Sequence, residues 1–143
     1  DFVKKLKTIT GFKIVSLLHL DQYIKYDEFY ADETPYNISP ADFINLVKNA
    51  EYICTDSFHG TLFSSIYKKK FFTFIRFSEK ATLSTNSRIF TLLRKIGAED
   101  RLVLENYNIE NLVNSDINYD VVNSNIIRFR NESLEYLENA LES

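Results

Sequence analysis

Tyr52-Ile53-Cys54-Thr55-Asp56-Ser57-Phe58-His59-Gly60-Thr61 joins an apolar run to a polar turn. Its first four residues are an apolar run of strand length, and the polar residues after them make a turn. Leu62, Phe63, Ile66 and Tyr67 then recur at helical spacing up to the lysines at 68–70. Phe71-Phe72-Thr73-Phe74-Ile75 follows as a second strand, rich in aromatics and bounded by charge. Strand, turn, helix and strand in this order make a parallel β-α-β unit.

The alternation continues outward from that unit. Ser39 is placed to cap a helix, Pro40 suits the first helical position, and Asp42 complements the dipole. Phe43, Leu46, Val47 and Ala50 predict that helix over 40–49. Nearer the start, residues 2–9 have a helical pattern ending at Gly11, residues 13–18 read as a buried strand, and 21–37 as a long loop. Beyond the unit, a polar loop over 78–86 leads to a helix over 87–96 that stops at Gly97. Residues 102–104 read as a last short strand and the asparagine-rich stretch 106–125 as loop. Ile127, Leu134, Leu137 and Leu141 mark a terminal helix. Helix and apolar strand in alternation predict an α/β fold, a parallel sheet with helices on both faces.

Composition bounds the function. The 143 residues are one domain's worth, and 45% apolar with 26% charged residues is a globular balance. Seventeen Lys+Arg against 20 Asp+Glu leave a net charge of -3, which argues against a bulk electrostatic nucleic-acid binder. No run approaches the roughly 18 apolar residues of a membrane helix. One cysteine forms no internal disulfide, so the expected location is cytoplasmic, including the inner face of the membrane as a peripheral site. Methionine is absent and no signal-peptide pattern opens the chain, so the expectation is an excised piece of a longer protein. The helical start, with no strand before it to cover, points the same way. With 3 glycines there is no GxGxxG or GxxxxGK[ST] loop, which removes the standard dinucleotide and P-loop sites.

In an open parallel sheet, ligands bind at the carboxyl ends of strands, where helix N-termini point. Residues 55–61 form such a junction. Asp56, Ser57 and His59 sit in the turn, Gly60 permits close backbone approach, and the helix start suits a phosphate or carboxylate. Arg76 after the second strand and Arg88 at the next helix start are placed to meet anionic groups on the same rim. The same residues admit a plainer use: Asp56 or Ser57 as a helix cap, and His59 as a hydrogen-bonded residue of the first turn. Cys54, mid-strand, reads as core rather than nucleophile. No zinc-like spacing of ligands accompanies the two histidines, so no metal is expected.

The junction also resembles a known family. Ser39-Pro40-Ala41-Asp42-Phe43, Asn49-Ala50-Glu51-Tyr52-Ile53-Cys54-Thr55-Asp56-Ser57-Phe58-His59-Gly60-Thr61, Phe63-Ser64, Lys70-Phe71-Phe72, Asn86-Ser87-Arg88-Ile89 and Leu92-Leu93 are similar to the polysaccharide pyruvyl transferases, over roughly residues 10–105. The resemblance implies a bacterial enzyme of exopolysaccharide biosynthesis with a glycosyltransferase-B-like pair of Rossmann-like halves. Residues 1–143 would be a single, truncated three-layer Rossmann-like domain, the donor-binding C-terminal half, lacking the N-terminal half and inactive alone. It implies phosphoenolpyruvate as donor substrate, a glycan acceptor, and no cofactor. His59 is then the general acid/base, with Asp56 orienting it or capping the helix. Ser57, Gly60, Thr61, Arg76, Asn86 and Arg88 are the substrate-binding residues, the amides near Gly60 and Thr61 taking the phosphate. Some relatives carry an arginine where this chain has Ser57, which shifts the anion's charge balance onto Arg76 or Arg88. Two other classes remain: a nucleotide-sugar transferase of the same architecture, and a non-catalytic domain that has kept the fold.

Overall fold

The computed structural model describes residues 1–18, 29–75 and 83–142, with the backbone alone for 83–85. In chain order the elements are α1 (Phe2–Thr10), α2 (Pro40–Asn49), β1 (Tyr52–Thr55), α3 (Phe58–Ile66), β2 (Lys70–Thr73), α4 (Leu83–Ile96), a 3-10 turn at Glu99–Arg101, α5 (Ile109–Asn114) and α6 (Tyr119–Glu142). β1 and β2 run parallel, with Tyr52 opposite Lys70 and Thr55 opposite Thr73. The architecture is mixed α/β with one two-stranded sheet among the described residues.

Adjacent residues of a strand face opposite sides of a sheet, and β2 uses this to build two cores. Phe71 packs with Ile89, Leu92, Leu93 and Ile96 of α4 and Val122 of α6, and Phe58 and Leu62 of α3 lie against them. Phe72 faces the other way and joins Phe2 and Leu6 of α1, Val103, and Val113 of α5. There the Phe2 ring meets Phe72 at 4.9 Å, Tyr107 at 5.2 Å and Phe74 at 5.3 Å, each edge to face. Helices therefore cover both faces of the strands, as the alternation predicts. Full burial of each large apolar side chain is worth about 1.5–3 kcal/mol, and it is this that holds such a short sheet together.

Local chemistry sets the helix ends. Ser39 and Asp42 form the capping box of α2: the Ser39 hydroxyl accepts from the Asp42 amide at 3.2 Å, and the Asp42 carboxylate accepts from the Ser39 amide at 2.9 Å. The Ser39 hydroxyl and amide hold the Asp42 carboxyl below its ordinary value. Gly11 closes α1 in the left-handed region at φ 70°, donating to the Lys7 carbonyl.

Five elements differ from expectation. Residues 13–18 form no strand; Val15 makes an isolated bridge to Glu33, fastened by Lys13–Glu33 and Lys7–Asp32 ion pairs. The predicted strand at 102–104 is likewise one bridge, Leu102 to Thr73, because the 3-10 turn ends immediately before it. The predicted loop over 106–125 contains α5 and the start of α6. Two of its asparagines are helix caps: Asn108 accepts from the Asn111 amide at 3.0 Å, and Asn118 from the Val121 amide at 3.2 Å. Helix α4 begins at Leu83 instead of residue 87, and β2 ends at Thr73 instead of residue 75. The predicted loop segments over 21–28 and 78–82 lie outside the described residues.

One buried charge was not foreseen. Arg101 is 1% exposed and is enclosed by the Asp100 carboxylate, the Ser115 hydroxyl at 2.6 Å and the Ser115 carbonyl at 3.3 Å. It joins the 3-10 turn to the end of α5. In contrast, Leu141 near the end of α6 is 78% exposed. Urea unfolding should show Phe71→Ala costing about 3–5 kcal/mol. Leu141→Ala should stay within about 0.5 kcal/mol of the parent.

Candidate functional site

The junction between β1 and α3 is built from hydroxyls. Thr55, the last residue of β1, accepts from the Ser57 amide at 3.1 Å through its Oγ1. Ser57 is the cap of α3: its hydroxyl accepts from the Gly60 amide at 3.3 Å, and its carbonyl accepts from the Thr61 amide at 2.9 Å. The Thr61 hydroxyl donates to that same carbonyl at 3.0 Å and lies 3.1 Å from the Thr73 hydroxyl at the end of β2. Ser64 and Ser65, both fully buried, bond back to the carbonyls of Gly60 and Thr61. A polar seam thus runs from both strand ends into α3.

Gly60 is required here by space. A Cβ at this position would lie 2.3 Å from Thr55 Oγ1 and 3.1 Å from Thr55 Cβ. The first turn of α3 therefore rests directly on the end of β1, and that contact turns His59 outward into solvent. The His59 ring meets only the Phe58 ring among the described aromatics, edge to face at 5.6 Å.

The structure separates the expected site residues into groups. Asp56, Ser57 and Gly60 line a broad cleft of about 2140 Å³ that runs along β1, with Ile14 and Leu18 among its other lining residues. Arg88 lies on the opposite flank, its guanidinium 4.9 Å from the centre of the Phe58 ring. His59 sits beside Phe58, exposed, and lines neither hollow. Thr61 is fully buried and its hydroxyl is committed to the seam, so it reaches neither hollow. Asn86 is buried in α4 and lines neither. Arg76 lies outside the described residues. The amides of Gly60 and Thr61, expected to meet phosphate, are taken up by Ser57. Those of Phe58 and His59 make no hydrogen bond among the described residues.

A family model described as polysaccharide pyruvyl transferase matches residues 3–76. The chain belongs to the polysaccharide pyruvyl transferase family. No curated protein and no solved structure matches it. The matched stretch of this family contains Asp56, Ser57, His59, Gly60, Thr61 and Arg76, while Asn86 and Arg88 lie beyond it. Membership implies a glycan acceptor. Among the described residues no helix is long and apolar enough to cross a membrane, and no group of three or more metal-ligating side chains assembles.

Cys54 behaves as core. Burial pushes its thiol up to about 12, so it stays protonated and non-nucleophilic near neutral pH. Sequence reasoning missed Thr91, Lys95 and Phe129, which share a second hollow with Phe58 and Arg88. The signal was present as Arg88, Thr91 and Lys95 at i, i+3 and i+7 on one helix.

These contacts divide packed residues from exposed ones. Thermal unfolding should show Gly60→Ala destabilised by about 1–3 kcal/mol through overpacking against Thr55. His59→Ala should remain within about 0.5 kcal/mol of the parent, because the side chain is exposed.

Proposed function

We propose that this chain is the donor-binding domain of a transferase that moves pyruvate from phosphoenolpyruvate onto two sugar hydroxyls as a ketal. The observation that carries it is His59, exposed at the carboxyl end of a parallel strand and the start of a helix, inside the stretch that matches the family. Helices on both faces of the strands support a three-layer Rossmann-like domain, the C-terminal half of a glycosyltransferase-B-like enzyme. Turnover then requires the other half of the protein.

Phosphoenolpyruvate carries one carboxylate and one phosphate on an enol carbon. Its methylene takes a proton, and the cationic centre at C2 is attacked by a first sugar hydroxyl, which loses its proton. Phosphate then leaves with its bridging oxygen, and the second hydroxyl attacks C2 and loses its proton in turn. The balance is phosphoenolpyruvate plus diol giving ketal plus inorganic phosphate. An imidazole can donate and accept protons near neutrality, so His59 serves as the acid that protonates the methylene and the base that receives a hydroxyl proton.

The anions need positive partners. The amides of Phe58 and His59 at the start of α3, unbonded among the described residues, provide hydrogen-bond donors and the helix's partial positive charge. Ser57 is spent on capping, so a guanidinium is required from elsewhere; Arg76 is the residue assigned, because Arg88 lines the other hollow. Asp56, on the cleft side of the turn, orients His59.

Calorimetric titration of phosphoenolpyruvate should show binding to the wild type and a loss of about tenfold or more in His59→Ala. Full-length protein with a glycan acceptor should release inorganic phosphate from phosphoenolpyruvate, and His59→Ala should abolish the release. Unchanged affinity in the variant, or binding of nucleotide-sugars in place of phosphoenolpyruvate, would overturn the proposal.

A further inference from the structure

A second hollow, of about 230 Å³, lies between the first residue of α3, the outer face of α4 and the middle of α6. Its lining residues include Phe58, Ser87, Arg88, Thr91, Lys95 and Phe129. No carboxylate is among the lining residues. Arg88 and Lys95 make no ion pair among the described residues, although the chain as a whole carries an excess of acid. Two uncompensated cations in one small hollow of an acidic protein create a local positive potential.

Both cations are held in place. The Arg88 guanidinium lies over Phe58 at 4.9 Å and the Lys95 ammonium over Phe129 at 4.2 Å. A guanidinium held over a ring by its charge spends no N–H donor on a hydrogen-bond acceptor there, so the donors serve an oxyanion. Anchoring on a ring also removes side-chain freedom before any ligand arrives, which lowers the entropy cost of binding. Arg88 and Lys95 are seven residues apart, about two helical turns, so their long side chains bracket Thr91 on the same helix. Cations at both ends, a hydroxyl between them and aromatic walls suit a small polyhydroxylated molecule with a negative charge. The volume is below the roughly 300–1,000 Å³ that encloses drug-sized ligands, which favours one sugar unit over a nucleotide-sugar.

We propose that this hollow binds an anionic sugar unit, its phosphate or carboxylate held by Arg88 and Lys95 and a hydroxyl by Thr91. Its role as the acceptor's anchor rests on the transferase reading above, since the hollow adjoins Phe58 and so lies next to His59. The binding itself does not depend on a donor.

Calorimetry on the full-length protein without phosphoenolpyruvate tests it, with glucose 1-phosphate, glucuronate and glucose as probes. One or both anionic sugars should bind measurably more tightly than glucose, and the preferred one identifies phosphate or carboxylate as the recognised group. Lys95→Gln should weaken that binding by about tenfold, as loss of a charge-assisted hydrogen bond does. Lys95→Arg, which keeps the charge, should restore most of it, with circular dichroism confirming that both variants are folded. A contact that only staples α6 to α4 would leave sugar affinity unchanged. Equal binding of glucose, or Lys95→Gln within twofold of the wild type, would overturn the proposal. Because the readout involves neither donor nor turnover, its failure leaves the phosphoenolpyruvate reading standing, and failure of phosphoenolpyruvate to bind leaves this site standing.

Discussion

The contact of the Gly60 α-carbon with the Thr55 side chain governs the geometry of everything around it. A helix that starts two residues after a strand has little freedom in its direction. Here the missing Cβ lets the first turn of α3 settle against the strand end, at a distance no other residue could tolerate without movement. Ser57 then caps the helix, and Thr61 reaches the end of β2 through Thr73. The two strand ends and the helix start are thereby one rigid unit. His59 stands on that unit as an exposed side chain, and Phe58 beside it turns into the core formed with α4.

Much of this was legible because short-range rules decide it. The capping box at Ser39 and Asp42, the stop at Gly11, and the stripe of Ile89, Leu92, Leu93 and Ile96 are all local patterns that tertiary structure left intact. The junction of 55–61 was legible for the same reason. The misses arose where composition stood in for position. Asparagines in 106–125 suggested loop, yet Asn108 and Asn118 are caps, and the apolar residues between and after them form α5 and α6. An apolar run also cannot say whether a sheet edge is available to it, which is why 13–18 and 102–104 became isolated bridges.

The site was only partly legible, for a different physical reason. Sequence spacing places residues near a strand end but does not say which flank they face or which hydrogen bonds they already make. Ser57, Gly60 and Thr61 looked equally available to a ligand, whereas capping occupies the Ser57 hydroxyl together with the Gly60 and Thr61 amides. Thr61 is an internal member of the polar seam. Arg88 looked like a partner on the same rim, but it sits over Phe58 and lines the hollow on α4 instead of the cleft along β1.

That division suits a reaction with two unlike substrates. A group transfer of the kind proposed needs a donor with fixed negative charges and an acceptor whose hydroxyls must be brought to one carbon, and each must be positioned independently. A single cleft lined by every charged residue would attract two anionic molecules to the same place and make them compete. Here the cleft along β1 and the hollow on α4 share no lining residue, so each has its own partners. Beside Phe58 stands an exposed imidazole on a capped helix, the group that would exchange a proton where donor and acceptor meet. The scarcity of glycine fits this arrangement. A phosphate loop would need several flexible residues, while one glycine packed on one threonine suffices to direct a helix start and the histidine it carries.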